Sequence, residues 1–198
     1  MLRDYYEITT AGAGEIVSLA DAKLFLRIDA DMTNEDALIQ SLITVAEQTA
    51  ATLTNRNLRQ DVYQGFFEDV TRAHNYSTPY LTIRRSPLVS ITDVFHMVNG
   101  SWVALTSDDY ELMKQNTYSR IVFKQSFSTF SSDTDVAWRY RVDFTAGYSA
   151  VPESIKTGIK QHVNFMYENR GDTEAMAGAK IPRVVKASYK PFKISLGV

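Results

Sequence analysis

Val136-Ala137-Trp138-Arg139-Tyr140-Arg141-Val142-Asp143-Phe144 runs directly into Thr145-Ala146-Gly147-Tyr148, and Val151-Pro152 follows. In the first part Val136, Trp138, Tyr140, Val142 and Phe144 alternate with Ala137, Arg139, Arg141 and Asp143. A period of two predicts a strand with one buried and one wet face. After Pro152 the apolar residues are Ile155, Ile159, Val163 and Met166, flanked by His162 and Tyr167. That is a helical period, and Pro152 suits a helix's first turn. The switch falls at Gly147, where a strand must become a helix. Glycine supplies backbone freedom there, and Ala146 permits close packing.

Working towards the N-terminus, residues 61–144 read as β-rich. Tyr63, Phe67 and Val70, then Tyr80 to Ile83, Val89 to Val98, Tyr110 to Met113 and Ile121 to Phe123 are strand segments. Asn99-Gly100 between Phe95-His96-Met97-Val98 and Trp102-Val103-Ala104-Leu105 predicts a hairpin with a type I′ turn, which needs positive φ at both central residues. Ser126 to Asp135 is rich in Ser, Thr and Asp and reads as a loop.

The first sixty residues read as helical. Ser18-Leu19-Ala20-Asp21 has the form of a capping box with Asp in place of Glu, and predicts a helix over about 18–28. A second helix is expected over about 34–55, capped by Asn34, with Glu35 and Asp36 at its positive end. Its stripe is Leu38, Ile39, Leu42, Ile43, Ala46, Ala50 and Leu53, and Asn55-Arg56-Asn57 closes it. Helices are also expected over 152–170, stopped at Gly171, and over 182–190, opened by Pro182 and ended by Pro191. The predicted class is therefore α+β. Residues 1–60 plus 145–198 form a small helical bundle, and 61–144 form an antiparallel β-rich insertion.

Composition narrows the function. The chain has 198 residues, 44% hydrophobic and 22% charged, which is ordinary for a globular domain. Its formal charge of −2 lacks the basic excess of a dedicated nucleic-acid binder. With no cysteine, disulfides, thiolate metal sites and cysteine nucleophiles are excluded. No stretch approaches the roughly 18 apolar residues of a membrane span, and the N-terminus lacks a signal peptide's apolar core. These features predict a protein made in the cytoplasm, with no membrane partner.

Chemistry-bearing patterns are sparse. His74, His96 and His162 have no metal-ligand spacing, and His162 reads as a satisfied, half-buried histidine. There is no Gly-x-Ser-x-Gly elbow. Ala11-Gly12-Ala13-Gly14-Glu15 is not a phosphate loop and reads as a flexible lead into the first helix. Asp29, Asp31, Glu35 and Asp36 lack the Ca²⁺-loop pattern and are better explained as helix-N-terminal charge. No catalytic residue, metal ligand or cofactor site is assigned, and no enzymatic activity is expected.

Charge is unevenly spread. Residues 1–61 hold ten acids against five bases, whereas Lys180, Arg183, Lys186, Lys190 and Lys193 close the chain with no acid among them. Their spacing of three and four puts much of this charge on one side of a short helix. Arg183, Lys186, Tyr189, Lys190 and Lys193 are the candidate partner-docking residues. Three readings stand for this face: a solvated surface, contact with an acidic protein surface, or transient contact with DNA phosphates.

Ser18-Leu19-Ala20-Asp21-Ala22-Lys23 through Leu26-Arg27-Ile28-Asp29, then Glu35-Asp36-Ala37-Leu38-Ile39, then Phe144-Thr145-Ala146-Gly147-Tyr148 with Val151-Pro152, and Ile155-Lys156 to Tyr167-Glu168-Asn169-Arg170, with a weaker match over Ile181-Pro182 to Tyr189, occur in that order. The ordered set resembles the head–tail connector (adaptor) family of tailed bacteriophages, in its longer form with a β-rich middle. Where that family carries a pair of Leu before the closing aromatic, this chain has Ala187-Ser188. The resemblance implies a structural virion protein in the neck. It implies a ring of expected twelvefold symmetry beneath the portal protein, joined to a downstream neck or tail protein, with DNA only as cargo in the channel. The alternative is a β-domain recognition module that binds peptide or glycan through aromatics such as Trp102 and Tyr110.

Overall fold

The structure, a computed structural model, describes residues 4–71, 78–124, 136–170 and 181–194. The class is α+β, as expected: the described residues form four α-helices and two antiparallel sheets. The chain divides into two compact units, one of residues 1–13 with 59–148 and one of residues 14–58 with 149–198.

The first unit holds all the described strands: β1 (Asp4–Thr10), β2 (Asp61–Phe67), β3 (Tyr80–Ile83), β4 (Leu88–Val98), β5 (Ser101–Ala104), β6 (Tyr110–Met113), β7 (Ser119–Phe123) and β8 (Tyr140–Ala146). Five form a sheet in the order β1-β2-β8-β4-β5, and three form a second in the order β3-β7-β6. β8 lies at the centre of the larger sheet. It pairs with β2 from Asp61↔Ala146 to Phe67↔Tyr140, and with β4 from Leu88↔Ala146 to His96↔Tyr140.

The alternation of the opening stretch is realised, shifted towards its C-terminal end. Tyr140, Val142, Phe144 and Ala146 are buried, while Val136 and Trp138 precede the strand. Tyr63, Phe67, Val94, Val142 and Phe144 join Leu81, Ile83, Ile121 and Phe123 of the smaller sheet in one core. Asn99 (φ 49°) and Gly100 (φ 75°) make the expected turn, with Val98 paired to Ser101.

β1 corrects the reading of residues 1–60 as helical. Asp4-Tyr5-Tyr6-Glu7-Ile8-Thr9-Thr10 is an edge strand on β2, largely exposed apart from Asp4 and Tyr6. Tyr5, Tyr6, Ile8, Thr9 and Thr10 are β-formers, but with little of the strand buried the segment lacks the two-residue apolar alternation that marks a strand in a sequence. The glycines after it are not simply a flexible lead. Gly12 donates its N–H to Asp61 Oδ1 at 2.7 Å, and a Cβ there would lie 2.3 Å from the Gln60 carbonyl oxygen.

The second unit contains α1 (Leu19–Leu26), α2 (Asp36–Thr54), α3 (Glu153–Glu168) and α4 (Arg183–Tyr189). α2 packs on α3, α1 touches both, and α4 rests on α3 and α2. Ser18 caps α1 as expected, its Oγ accepting from the Asp21 N–H at 3.0 Å. α1 ends earlier than residue 28 because Arg27 turns left-handed (φ 59°) and Ile28 N–H bonds back to the Lys23 carbonyl, a Schellman-type closure.

Asn34 does not cap α2. The N-cap is Glu35, without a side-chain cap bond, and the Asp36 N–H is satisfied by the Thr33 carbonyl. Asn55 ends α2, as expected, and it does so in the left-handed region. Pro152 stands at the N-cap of α3 rather than inside its first turn. Pro191 does not stop the last helix sharply, because Lys190–Phe192 continue as a 3-10 turn that accommodates it. The loop expected at 126–135, the stop at Gly171 and His74 lie outside the described residues.

A buried lysine organises this unit. Lys23 Nζ donates to the Ala30 carbonyl at 3.0 Å, the Met32 carbonyl at 2.7 Å and Asp36 Oδ1 at 2.9 Å. The ammonium thus uses all three donors, fixing the loop between α1 and α2. Glu47, also buried, does the converse: its Oε1 accepts from the N–H groups of Ile16 and Val17 at 3.0 and 3.3 Å.

Two stability predictions follow from these contacts. At Gly147 (φ 132°) a Cβ would lie 1.8 Å from the Arg59 carbonyl oxygen. Gly147→Ala should therefore cost about 3 kcal/mol or more, as strained backbone adds to overlap. Both tryptophans, Trp102 and Trp138, belong to the β unit, so their fluorescence during urea unfolding reads the loss. Lys23→Met should remove about 2–3 kcal/mol, since it strands Asp36 and two carbonyls around an apolar side chain. Far-UV circular dichroism of the helices checks it; an unchanged urea midpoint would show that the ammonium is dispensable.

Candidate interaction surface

The basic residues of the last helix gather around a groove. α4 turns its Val185 and Tyr189 inward, four residues apart, so both are buried. Tyr189 lies on α3 at Gly158, where a Cβ would come within 2.5 Å of its ring; Ser188 Cβ is 3.1 Å from the same point. Only glycine at 158 lets α4 approach this closely. After the 3-10 turn, the Ile194 N–H donates to the Thr54 carbonyl at 2.9 Å and Asn55 Nδ2 donates to the Ile194 carbonyl at 2.8 Å. Arg56 Nε donates to the Phe192 carbonyl at 2.6 Å. The closing segment is thus fastened to the C-terminal end of α2.

Between α2 and this segment lies a groove of about 300 Å³. Leu53, Ala187 and Tyr189 form its apolar part, and Arg183, Lys186, Lys190 and Lys193 supply its basic part. All four cations are exposed, and among the described residues no ion pair reaches any of them. So all five candidate docking residues border one groove. Four offer charge at the surface, while Tyr189 is 2% exposed and contributes from within the packed interior. Burial pushes its hydroxyl pKa up, so the phenol stays neutral. An apolar floor with a cationic rim suits a partner that presents an apolar side chain beside carboxylates.

Other residues singled out in the sequence are dispersed. Glu35 accepts from the Tyr167 hydroxyl and pairs with Arg170 at 3.3 Å, tying the start of α2 to the end of α3. Asp36 holds Lys23, whereas Asp29 and Asp31 are exposed. The acidic cluster is therefore two structural anchors and two surface charges. Among the described residues no three His, Asp or Glu are grouped to hold a metal ion.

Trp102 and Tyr110 do not converge. Trp102 sits on the outer face of the larger sheet, in a row with Phe66, Tyr5 and Trp138, and Arg141 lies 5.6 Å from its ring. Tyr110 packs against the common core from the smaller sheet.

His96 and His162 are both buried. Nδ1 of His162 has no hydrogen-bond partner among the described residues, so the expectation of a satisfied histidine does not hold for that atom.

Residues 16–87 match the model of the phage gp6-like head-tail connector protein family, a segment that takes in α1, α2, β2 and β3. The family resemblance read from the sequence is met there. No curated protein matches the chain. Among solved structures, the neck of an empty gene transfer agent (GTA) particle computed with C6 symmetry is similar with a TM-score of 0.71 and 20% identity, covering 98% of this chain and 97% of that chain. A chain from the virion of a native GTA particle gives the same values. A chain from the neck of a native GTA particle computed with C12 symmetry has a TM-score of 0.65 at 18% identity, with the same coverage. At this identity the likeness is one of fold, and it extends over both units.

His162 gives this unit a pH signature. Burial lowers its pKa below the ordinary 6.5. The folded state therefore binds the proton less readily than the unfolded chain. Its contribution is complete above the unfolded value and is lost as pH falls through that value towards the lowered one. Stability should fall as pH drops below the ordinary histidine value of about 6.5, before most carboxylates titrate. His162→Gln should flatten that drop in urea midpoints read from the helical signal; an unchanged slope would assign it elsewhere.

Proposed function

We propose that this chain, with its match to the phage gp6-like head-tail connector family over residues 16–87, is a structural connector subunit of a virion neck. In this reading copies assemble as a ring beneath the portal protein, extend the DNA channel and join the capsid to a neck or tail component. The family match carries the proposal. The fold likeness to chains of GTA particles across nearly the whole chain supports it. The function is one of assembly: many repeated contacts, each modest, act together once the ring closes.

The basic groove is the part of this reading that carries chemistry. We assign Arg183, Lys186, Lys190 and Lys193 to contact with an acidic protein surface, with Tyr189 holding their helix in place. DNA passing as cargo must slide, and a cluster that grips phosphates would hinder it.

Electron microscopy of the purified protein, alone and mixed with portal protein, tests the assembly. Rings under either condition are expected, with their symmetry read directly; their absence under both would overturn the reading. Truncation is a poor test of the groove, because Val185, Tyr189 and Ile194 belong to the core. Charge reversal is cleaner. Lys186→Glu with Lys190→Glu should leave thermal stability intact and abolish partner binding in sedimentation, whereas binding at unchanged affinity would show that face to be merely solvated.

A further inference from the structure

The helical unit has a second exposed surface, opposite in charge to the groove. On α1 and the loop after it, Leu24 is 78% exposed, Phe25 41% and Met32 57%. Asp21, Asp29 and Asp31 are exposed in the same stretch, and among the described residues no ion pair engages them. Arg27 is the exposed base within the stretch, and Lys160 of α3 approaches the Phe25 ring at 6.0 Å. Acids and large apolar side chains nonetheless dominate. Three protruding apolar residues on one short segment are unusual for a surface that meets only water.

The loop after α1 and the groove lie towards opposite ends of α2. Lys23 ties α1 and its loop to Asp36, the first residue of α2, whereas Leu53 borders the groove near the other end. At 1.5 Å per residue those positions are about 26 Å apart along the helix. The loop carrying Asp29, Asp31 and Met32 therefore cannot reach that chain's own groove.

We infer that the knob of one copy seats in the groove of the next. Leu24 and its apolar neighbours meet Leu53 and Ala187 above the buried Tyr189, while Asp21, Asp29 and Asp31 face Arg183, Lys186, Lys190 and Lys193. The groove's volume of about 300 Å³ suits protruding side chains rather than a whole helix. Because the two patches differ, the contact is heterologous: each copy offers a knob to one neighbour and a groove to the other. Such a contact propagates, and closes into a ring when the rotation per copy allows. The rim charges select this register over knob-to-knob or groove-to-groove approach, where like charges meet. This inference rests on the connector reading and specifies the contact that builds its ring.

The chain has no cysteine, so introduced thiols are unique. Leu24→Cys and Ala187→Cys are both at exposed positions. Under conditions where electron microscopy shows rings, a mixture of the two variants treated with a short bismaleimide should give a cross-linked dimer. Neither variant alone should give one, and the double variant should give a ladder of multimers. Charge exchange supplies a second measurement. Asp29→Lys with Asp31→Lys, or Lys186→Glu with Lys190→Glu, should each abolish rings, and mixing the two chains should restore them. Rings with no link between positions 24 and 187, or rings unaffected by either reversal, would overturn the inference and leave the connector reading standing. No ring with or without portal protein would overturn the connector reading itself.

Discussion

Three passes of backbone meet without room for a side chain. Gly12 lies against the Gln60 carbonyl and Gly147 against the Arg59 carbonyl. Residues 4–13 and 59–148 are the two pieces of chain that build the β unit, and these contacts join their ends. The Asp61 carboxylate reinforces the junction, accepting the Gly12 N–H at one oxygen and the Tyr63 hydroxyl at the other. The register Asp61↔Ala146 begins here, and from it follow the alignment of β2 on β8 and the inward direction of Tyr63, Val142 and Phe144. A one-residue slip would turn every one of these side chains to the opposite face.

Much of the fold was legible because its signals are local. The Ser18 cap, the Asn99-Gly100 turn, the apolar stripes of α2 and α3 and the alternation in β8 each depend on residues within a few positions of one another. The features that the sequence does not display are set by distant partners. β1 is an edge strand whose pairing partner lies more than fifty residues on, and too little of it is buried to impose an apolar pattern. Lys23 and Glu47 look like ordinary surface charges on amphipathic helices, yet each is buried because backbone groups from a neighbouring segment need a partner. Asn34 has the right residue type for a cap, but a backbone turn from Thr33 already satisfies the donor it would serve.

The interaction surface shows the same division. A run of bases without acids is visible in the chain, and so is their helical spacing. The groove between them is not, because Leu53 comes from a helix more than a hundred residues earlier and the approach of α4 depends on Gly158. Tyr189 adjoins the docking residues in sequence. Its ring instead holds the helix down, and the four cations form the exposed rim.

The central position of β8 also bears on how the protein is made. β2 and β4 do not pair with each other; each pairs with β8, which follows both in the chain. As the polypeptide emerges, the earlier strands have no hydrogen-bonding neighbour on that side until residues 140–146 are available. The larger sheet therefore closes late, through contacts of long sequence separation, which favours slow folding and prolongs the exposure of unpaired strand edges. A cell producing many copies at once would hold a pool of half-paired chains, each waiting on the strand at residues 140–146.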